Sequence, residues 1–147
     1  MQRLNTSLAA QGAEFLVLGQ LLVQGIPTYK AYVNHPAYDL LAVAETGRTC
    51  RISVKSRYAS DYDGGFPLKS LECDVVVFVA LNQGNRYYRK GREEKPKPAD
   101  YFVLPVAVLR AVRRNDDWQK VFLRDIEGVE QYRERWDLIT DFVGQGD

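Results

Sequence analysis

Cysteine and histidine are scarce in this 147-residue sequence, which contains two cysteines and one histidine. Cys50 and Cys73 both lie within apolar, strand-like runs, where a free thiol behaves as a small hydrophobic side chain. We therefore expect two buried thiols rather than a disulfide or a cysteine metal site. His35 directly precedes Pro36 at the end of a predicted strand, a position more typical of an exposed turn than of a catalytic base.

An excess of charge of one sign is also lacking. Twenty Lys and Arg residues balance nineteen Asp and Glu residues, leaving a net charge of +1. No global field therefore indicates a nucleic acid or a membrane as partner, and any basic surface must be local. No apolar run approaches the ~20 residues of a membrane span, and the first residues contain no signal-peptide hydrophobic segment. These absences favour a reduced, cytoplasmic protein.

The composition is that of an ordinary globular domain. Apolar residues make up 46% of the chain and charged residues 27%, a balance typical of soluble proteins. The length suits one domain with a sizeable core, and no repeat, low-complexity tract or linker divides it. We expect a single domain over residues 1–147.

The first predicted element is a helix from about residue 6 to Gln24, ended by Gly25. Apolar residues cover most of its circumference, so we expect it to be buried between a sheet and another layer. Gly12 and Gly19 share one face, on which the missing side chains would allow close approach to a sheet. Glu14 is out of place on such a helix, because uncompensated polar burial costs ~2–7 kcal/mol. It must reach solvent or a cationic partner.

A strand is predicted at 28–34, followed by an antiparallel hairpin of strands at 38–45 and 49–55 around a Glu-Thr-Gly-Arg turn. Side chains two residues apart on a strand share a face, so Arg51, Ser53 and Lys55 project together. Asp39 opens the neighbouring strand. The pairing of Asp39 with Lys55 is either a solvated ion pair or part of a site that handles a metal and an anion.

The rest of the chain predicts an α/β fold with a central mixed sheet of about five strands. Residues 56–72 are rich in Gly, Pro, Ser and Asp and predict an irregular loop. The apolar run 73–81 predicts a central strand covered on both faces. A short strand at 101–104, a helix at 106–114, an extended segment at 118–124 and a closing helix at 129–142 follow. We expect the first helix on one face of the sheet and the later helices on the other face or at the edge.

Residues 82–100 combine basic residues, aromatic residues and prolines. Such a segment suits contacts with phosphates and stacking on bases; an alternative is a solvated hairpin tip, because Glu93 and Glu94 cancel part of the charge. The candidate nucleic-acid contacts are Arg57, Arg86, Tyr88, Arg89 and Lys90.

The order of these features resembles the PD-(D/E)XK nuclease superfamily, and in particular its small bacterial endonuclease-like and Holliday junction resolvase-like members. The resemblance spans about residues 10–140, including the tail with the sequence Tyr101-Phe-Val-Leu-Pro and the final helix with Tyr132 and Trp136. The residues that carry it are Glu14 on the first helix, Pro36-x-x-Asp39, a glycine turn, Ser53-Val54-Lys55 and Asp74 before an apolar strand. It implies a restriction-endonuclease-like fold and metal-dependent hydrolysis of phosphodiester bonds, with DNA as the expected substrate.

The resemblance also implies residue roles. Asp39 would be the principal ligand of Mg²⁺ or Mn²⁺, the backbone carbonyl of Val54 would complete the shell, and Glu14 would reach the metal from the helix. Lys55 would orient or deprotonate the attacking water, or stabilise charge on the phosphate, and Glu14 would have the metal and Lys55 as its partners. A homodimer is expected, because many relatives cut both strands of a duplex.

One position departs from the family pattern: Ser53 stands where the family usually has Glu or Asp, and sometimes Gln. A neutral hydroxyl attracts a divalent cation far less than a carboxylate does. Either metal affinity is weak, or another acid replaces the missing one, the candidates being Asp61, Asp63, Glu72 and Asp74. A further possibility is an inactive nuclease-fold module that binds nucleic acid or a protein, and another is a structural protein with an ordinary ion pair between Asp39 and Lys55.

Overall fold

The computed structural model describes residues 6–31, 38–60, 65–85 and 95–144. The helices are α1 (Thr6–Val23), α2 (Val106–Val112) and α3 (Asp137–Gly144), with 3₁₀ turns at Leu123–Asp125 and Val129–Tyr132. The strands are β1 (Thr28–Lys30), β2 (Leu40–Val43), β3 (Thr49–Arg57), β4 (Gly65–Pro67), β5 (Val75–Ala80), β6 (Asp100–Pro105) and β7 (Lys120–Phe122).

Within the described residues, five strands form the main sheet in the order β1-β2-β3-β5-β6. The β3 and β5 strands run parallel, whereas the other neighbours are antiparallel. This mixed sheet with helices on its faces confirms the predicted α/β fold. All six residues of β5 are buried, because strands lie on both sides of it and packed layers cover both faces, as its unbroken apolar sequence indicates.

The predicted hairpin is confirmed by the pairing of β2 with β3, in which Leu40 faces Ile52 and Val43 faces Thr49. Gly47 provides the positive φ of 88° that the turn requires. The β3 strand continues two residues beyond its predicted end, because Ser56 and Arg57 pair with β5. Its alternation sends Ile52 and Ser53 to opposite faces of the sheet.

Two apolar cores lie on the two faces of the sheet. One contains Ala13, Val17 and Leu21 of α1 together with Ile139 and Val143 of α3. The second contains three phenylalanines, one from each of β4, β5 and β6, and Leu109 of α2. The prediction that the later helices lie away from α1 is therefore correct for α2. It is wrong for α3, which packs on the same face of the sheet as α1.

Two segments differ from their predicted structures because tertiary hydrogen bonds compete with local preference. The loop at 56–72 contains β4, which pairs with β7 in a separate two-stranded sheet. The closing helix predicted at 129–142 is interrupted: Arg133 is extended, and Glu134 has a φ of 52°. The Glu134 backbone N–H donates to the carbonyl of Tyr101 at 2.8 Å, so bonding to β6 replaces a helical turn.

The α1 helix is less buried than its sequence indicates. Only Ala13, Val17 and Leu21 are buried, so the expectation of burial between two layers was wrong. A Cβ atom at Gly12 or Gly19 would meet nothing within 4 Å. These glycines therefore do not approach the sheet.

By length and composition, α1 also meets the criteria for a membrane-spanning helix, and it is the one such helix among the described residues. Its Ala13, Val17 and Leu21 belong to the apolar core on one face of the sheet. The two cysteines are free and buried, as predicted. Burial raises the pKa of the Cys50 thiol to about 12.

Candidate functional site

Asp39 lies where the β2–β3 ladder ends. Its backbone N–H donates to the carbonyl of Ile52 at 2.8 Å, and its own carbonyl accepts the N–H of Ala31 at 2.9 Å. Its Oδ2 accepts the backbone N–H of Val54 at 2.7 Å. The carboxylate thus takes the place of the next backbone acceptor as the two strands diverge, and this charge-assisted bond fixes its orientation.

Glu14 reaches this carboxylate from α1. Its Oε2 lies 3.1 Å from Lys30 Nζ, and the two side chains are only 21% and 17% exposed. Burial, followed by the hydrogen-bonding contact with Asp39, raises the pKa of Glu14 above its ordinary value, while Lys30 partly opposes the rise. Two carboxylates and one ammonium group therefore form a half-buried cluster between α1, β1 and the start of β2.

Lys30 is the cationic partner that Glu14 requires. The resemblance assigned that position to Lys55, so this detail is wrong. No described residue forms an ion pair or hydrogen bond with Lys55, which argues against an ordinary Asp39–Lys55 ion pair. Lys30 also lies over the Phe15 ring at 4.3 Å. In the sequence, this pairing is indicated by two features: Lys30 lies on the short β1 strand, and Glu14 is the one charged residue of α1.

Lys55 and Ser53 lie on one face of β3, beside Phe78 and Val76 of β5. Ser53 is buried, with 6% exposure. Burial raises the pKa of the nearby Cys73 thiol, Asp74 adds to the rise, and Arg51 and Lys55 partly oppose it.

A cavity of about 400 Å³ opens beside Lys55. Its lining includes Thr6 and Ser7 from the first turn of α1, Lys55 and Arg57 from β3, and Phe66 from β4. The Arg57 Nε donates to the carbonyl of Gly65 at 2.8 Å, which holds the guanidinium at the cavity wall. Glu14 and Asp39 do not line it. The cationic recess and the acidic cluster are linked through Val54, which lines the cavity and whose backbone N–H binds Asp39.

The acids considered as replacements for the missing carboxylate do not join the cluster within the described residues. Asp74 accepts the backbone N–H of Arg51 at 2.8 Å and pairs with its guanidinium at 3.2 Å. Glu72 is exposed, and its backbone N–H donates to the Ser70 hydroxyl at 3.2 Å. Asp61 and Asp63 lie outside the described residues. In the parts of the chain that the structure describes, no three acidic, cysteine or histidine residues form a metal-binding group.

Several predicted functional residues also lie outside the described residues. These are His35, Pro36, Arg86, Tyr88, Arg89 and Lys90. The structure does bring together Glu14, Asp39 and the Val54 backbone, with Lys55 on the same strand as Val54. Their chemical roles stay predictions.

No protein-family model and no curated protein matches the chain. Among solved structures, the chain is similar to that of a bacterial homing endonuclease, I-Ssp6803I, with a TM-score of 0.59 and 22% sequence identity. The match covers 93% of each chain. The chain therefore has the fold of a homing endonuclease, and the likeness extends over almost its full length.

Proposed function

We propose that this protein is a metal-dependent nuclease that hydrolyses phosphodiester bonds in DNA, with its site at Glu14, Asp39 and Lys55. The observation that carries the proposal is the convergence of the Glu14 and Asp39 carboxylates, with Asp39 bonded to the backbone N–H of Val54, the residue before Lys55. Lys55 has no ion-pair partner among the described residues. The homing-endonuclease fold supports it. The proposal includes the PD-(D/E)XK assignment, one cytoplasmic domain, and a homodimer that cuts both strands of a duplex.

The acidic cluster fits Mg²⁺ or Mn²⁺. Magnesium is commonly held by one or two carboxylates, with waters and substrate phosphates filling the other positions. Two facing carboxylates repel one another, and the raised pKa of Glu14 reflects that repulsion together with burial. Asp39, Glu14 and the carbonyl of Val54 would hold the cation, which would acidify a water and offset charge on the phosphate when bound.

The cationic recess supports the substrate assignment. Lys55 and Arg57 provide positive charge at a cavity that also presents the hydroxyls of Thr6 and Ser7. In the hydrolysis, a water oxygen bonds to phosphorus, the bond from phosphorus to the leaving oxygen breaks, and that oxygen takes up a proton. Lys55 would position the attacking water and stabilise the negative charge that develops on the phosphoryl oxygens.

Ser53 favours a second candidate, an inactive module that binds nucleic acid or a protein. The buried hydroxyl supplies no negative charge, and no other described acid replaces it. Such a module would retain DNA binding that weakens steeply with salt, because phosphate contacts release counterions. It would not nick DNA at any metal concentration.

The test is calorimetric titration of Mg²⁺ and Mn²⁺ together with nicking of supercoiled plasmid, on the parent protein, Asp39→Asn and Asp74→Asn. Asp74 is a matched control, because both aspartates accept a β3 backbone N–H, at 2.7 and 2.8 Å. We expect Asp39→Asn to lose metal binding and nicking, and Asp74→Asn to keep both. DNA binding without nicking by the parent would support the inactive module. Nicking that survives in Asp39→Asn would refute the proposed site.

A further inference from the structure

The α1 helix carries an apolar face that is exposed among the described residues. Phe15, Leu16, Leu22 and Val23 are 53%, 43%, 51% and 86% exposed. At 100° per residue they share one side of the helix with Gly12 and Gly19, opposite the buried Ala13, Val17 and Leu21. We call this surface the α1 stripe. Its two glycines face open space.

The α1 stripe alternates small and large residues along the helix. Gly12, Phe15, Gly19 and Leu22 are spaced by three, four and three residues, which keeps them in line on one side. Glycine in the middle of an exposed helix lowers stability, because it loses more backbone freedom than other residues. Two such glycines between large apolar side chains have no role within the described monomer, but they leave gaps that a neighbouring helix can fill.

We propose that the α1 stripe is a self-association surface, on which α1 of a second copy of this chain packs antiparallel. When the two-fold axis lies level with Val17, Phe15 of each copy faces Gly19 of the other, and Leu22 faces Gly12. Large side chains then enter the gaps above glycines on both sides, as an isologous two-fold interface requires. This proposal does not depend on the nuclease function.

Charge favours a second copy over other partners. The α1 helix contains no lysine or arginine, so the stripe suits neither a phosphate backbone nor an interfacial membrane helix, which is rich in both residues. Glu14, its one charged residue, is paired with Lys30. The four side chains are between 43% and 86% exposed. With the glycine backbone and flanking glutamines, two copies would bury an interface of the small, weak class, below ~1,200 Å² in total.

The test is sedimentation velocity of the parent, the double variant Gly12→Gln/Gly19→Gln, and Arg110→Gln. Glutamine at the two glycines enters open space in the monomer and improves helix propensity, so folding is preserved. In the dimer it fills the gaps that Phe15 and Leu22 occupy. Arg110 is exposed on α2, which packs on the opposite face of the sheet, so Arg110→Gln serves as the control.

We expect the parent and Arg110→Gln to dimerise in the micromolar range, and the double variant to have a dissociation constant at least ~10-fold higher. Its thermal midpoint should be equal to or above that of the parent. A parent that stays monomeric up to several hundred micromolar, or a double variant that dimerises as tightly as the parent, would overturn the proposal. Flotation with phosphatidylcholine and phosphatidylglycerol vesicles would also overturn it if a monomeric parent bound them through the stripe.

Discussion

Replacing Lys30 with methionine tests whether the cluster of Glu14, Asp39 and Lys30 is held together by charge. Methionine keeps most of the apolar stem of lysine and removes the ammonium group. Exposed ion pairs contribute about 0.2–1 kcal/mol, whereas breaking a buried pair costs about 3–5 kcal/mol. The Lys30 and Glu14 side chains are 17% and 21% exposed, so we expect a loss of about 2 kcal/mol in the free energy of unfolding at pH 7, between those limits.

The effect must depend on pH in a defined direction. In the parent, burial and Asp39 raise the pKa of Glu14 above its ordinary value of 4.5, and Lys30 partly opposes this rise. In Lys30→Met, the pKa of Glu14 in the folded state rises further above its value in the unfolded chain. The folded variant therefore holds the Glu14 proton more tightly than the unfolded chain does. The free energy of unfolding of the variant therefore decreases as the pH rises above the ordinary pKa of Glu14. The difference between parent and variant should be small near pH 4 and grow towards pH 7.

The assay is urea denaturation of the parent, Lys30→Met, Glu14→Gln and the double variant at several pH values. The double variant should recover most of the loss, because Glu14, the carboxylate that Lys30 pairs with, is then replaced by a neutral amide. Lys30→Met should also bind Mg²⁺ several-fold more tightly, because a competing cation has been removed from Glu14. A loss below about 0.5 kcal/mol, or one equal at pH 4 and pH 7, would refute an electrostatic role for Lys30.

Three further predictions concern single positions. Lys55→Met should reduce plasmid nicking by at least ~100-fold, while changing the unfolding free energy in urea by less than ~0.5 kcal/mol; a large stability loss would show a structural role instead. Ser53→Asp should tighten Mg²⁺ binding by at least ~10-fold in calorimetry and destabilise the metal-free protein, because Ser53 is buried and an aspartate there would bring an unpaired charge into the core; unchanged affinity would show that the side chain does not face the metal. Cys50 should resist alkylation by iodoacetamide at pH 8 in the folded protein, since its pKa is about 12, and react at once in urea; rapid labelling of the folded protein, read by mass spectrometry, would contradict its burial.

Local sequence preferences were sufficient for the hairpin and the central strand. Period-two alternation and Gly47 specify the β2–β3 register, because a slip of one residue would expose Ile52 and bury Arg51. The apolar β5 sequence leaves no polar face to expose, so a central position is its only favourable one. The acidic residue on α1 and the aspartate at the start of β2 were likewise visible as candidates, because each is a charge in an apolar context.

Local preference does not determine which competing contact is made over long range. The sequence from 129 to 142 favours a helix, but the carbonyl of Tyr101 on β6 accepts the Glu134 N–H and interrupts it. The partner of Glu14 depends on which lysine the β1 edge strand brings beside α1, and β1 has only three residues. No local sequence pattern specifies the distance between Glu14 and Lys30.

The sequence by itself determined that α1 is a helix with one charge and apolar residues on every side, together with the hairpin and the buried strand that follow it. Only the tertiary structure decided which side of α1 meets the sheet. The small Ala13 and the branched Val17 pack closely on the strands, and this leaves Phe15, Leu22 and the two glycines outward. A helix that is apolar all round has no preferred face until a neighbouring layer covers one of them.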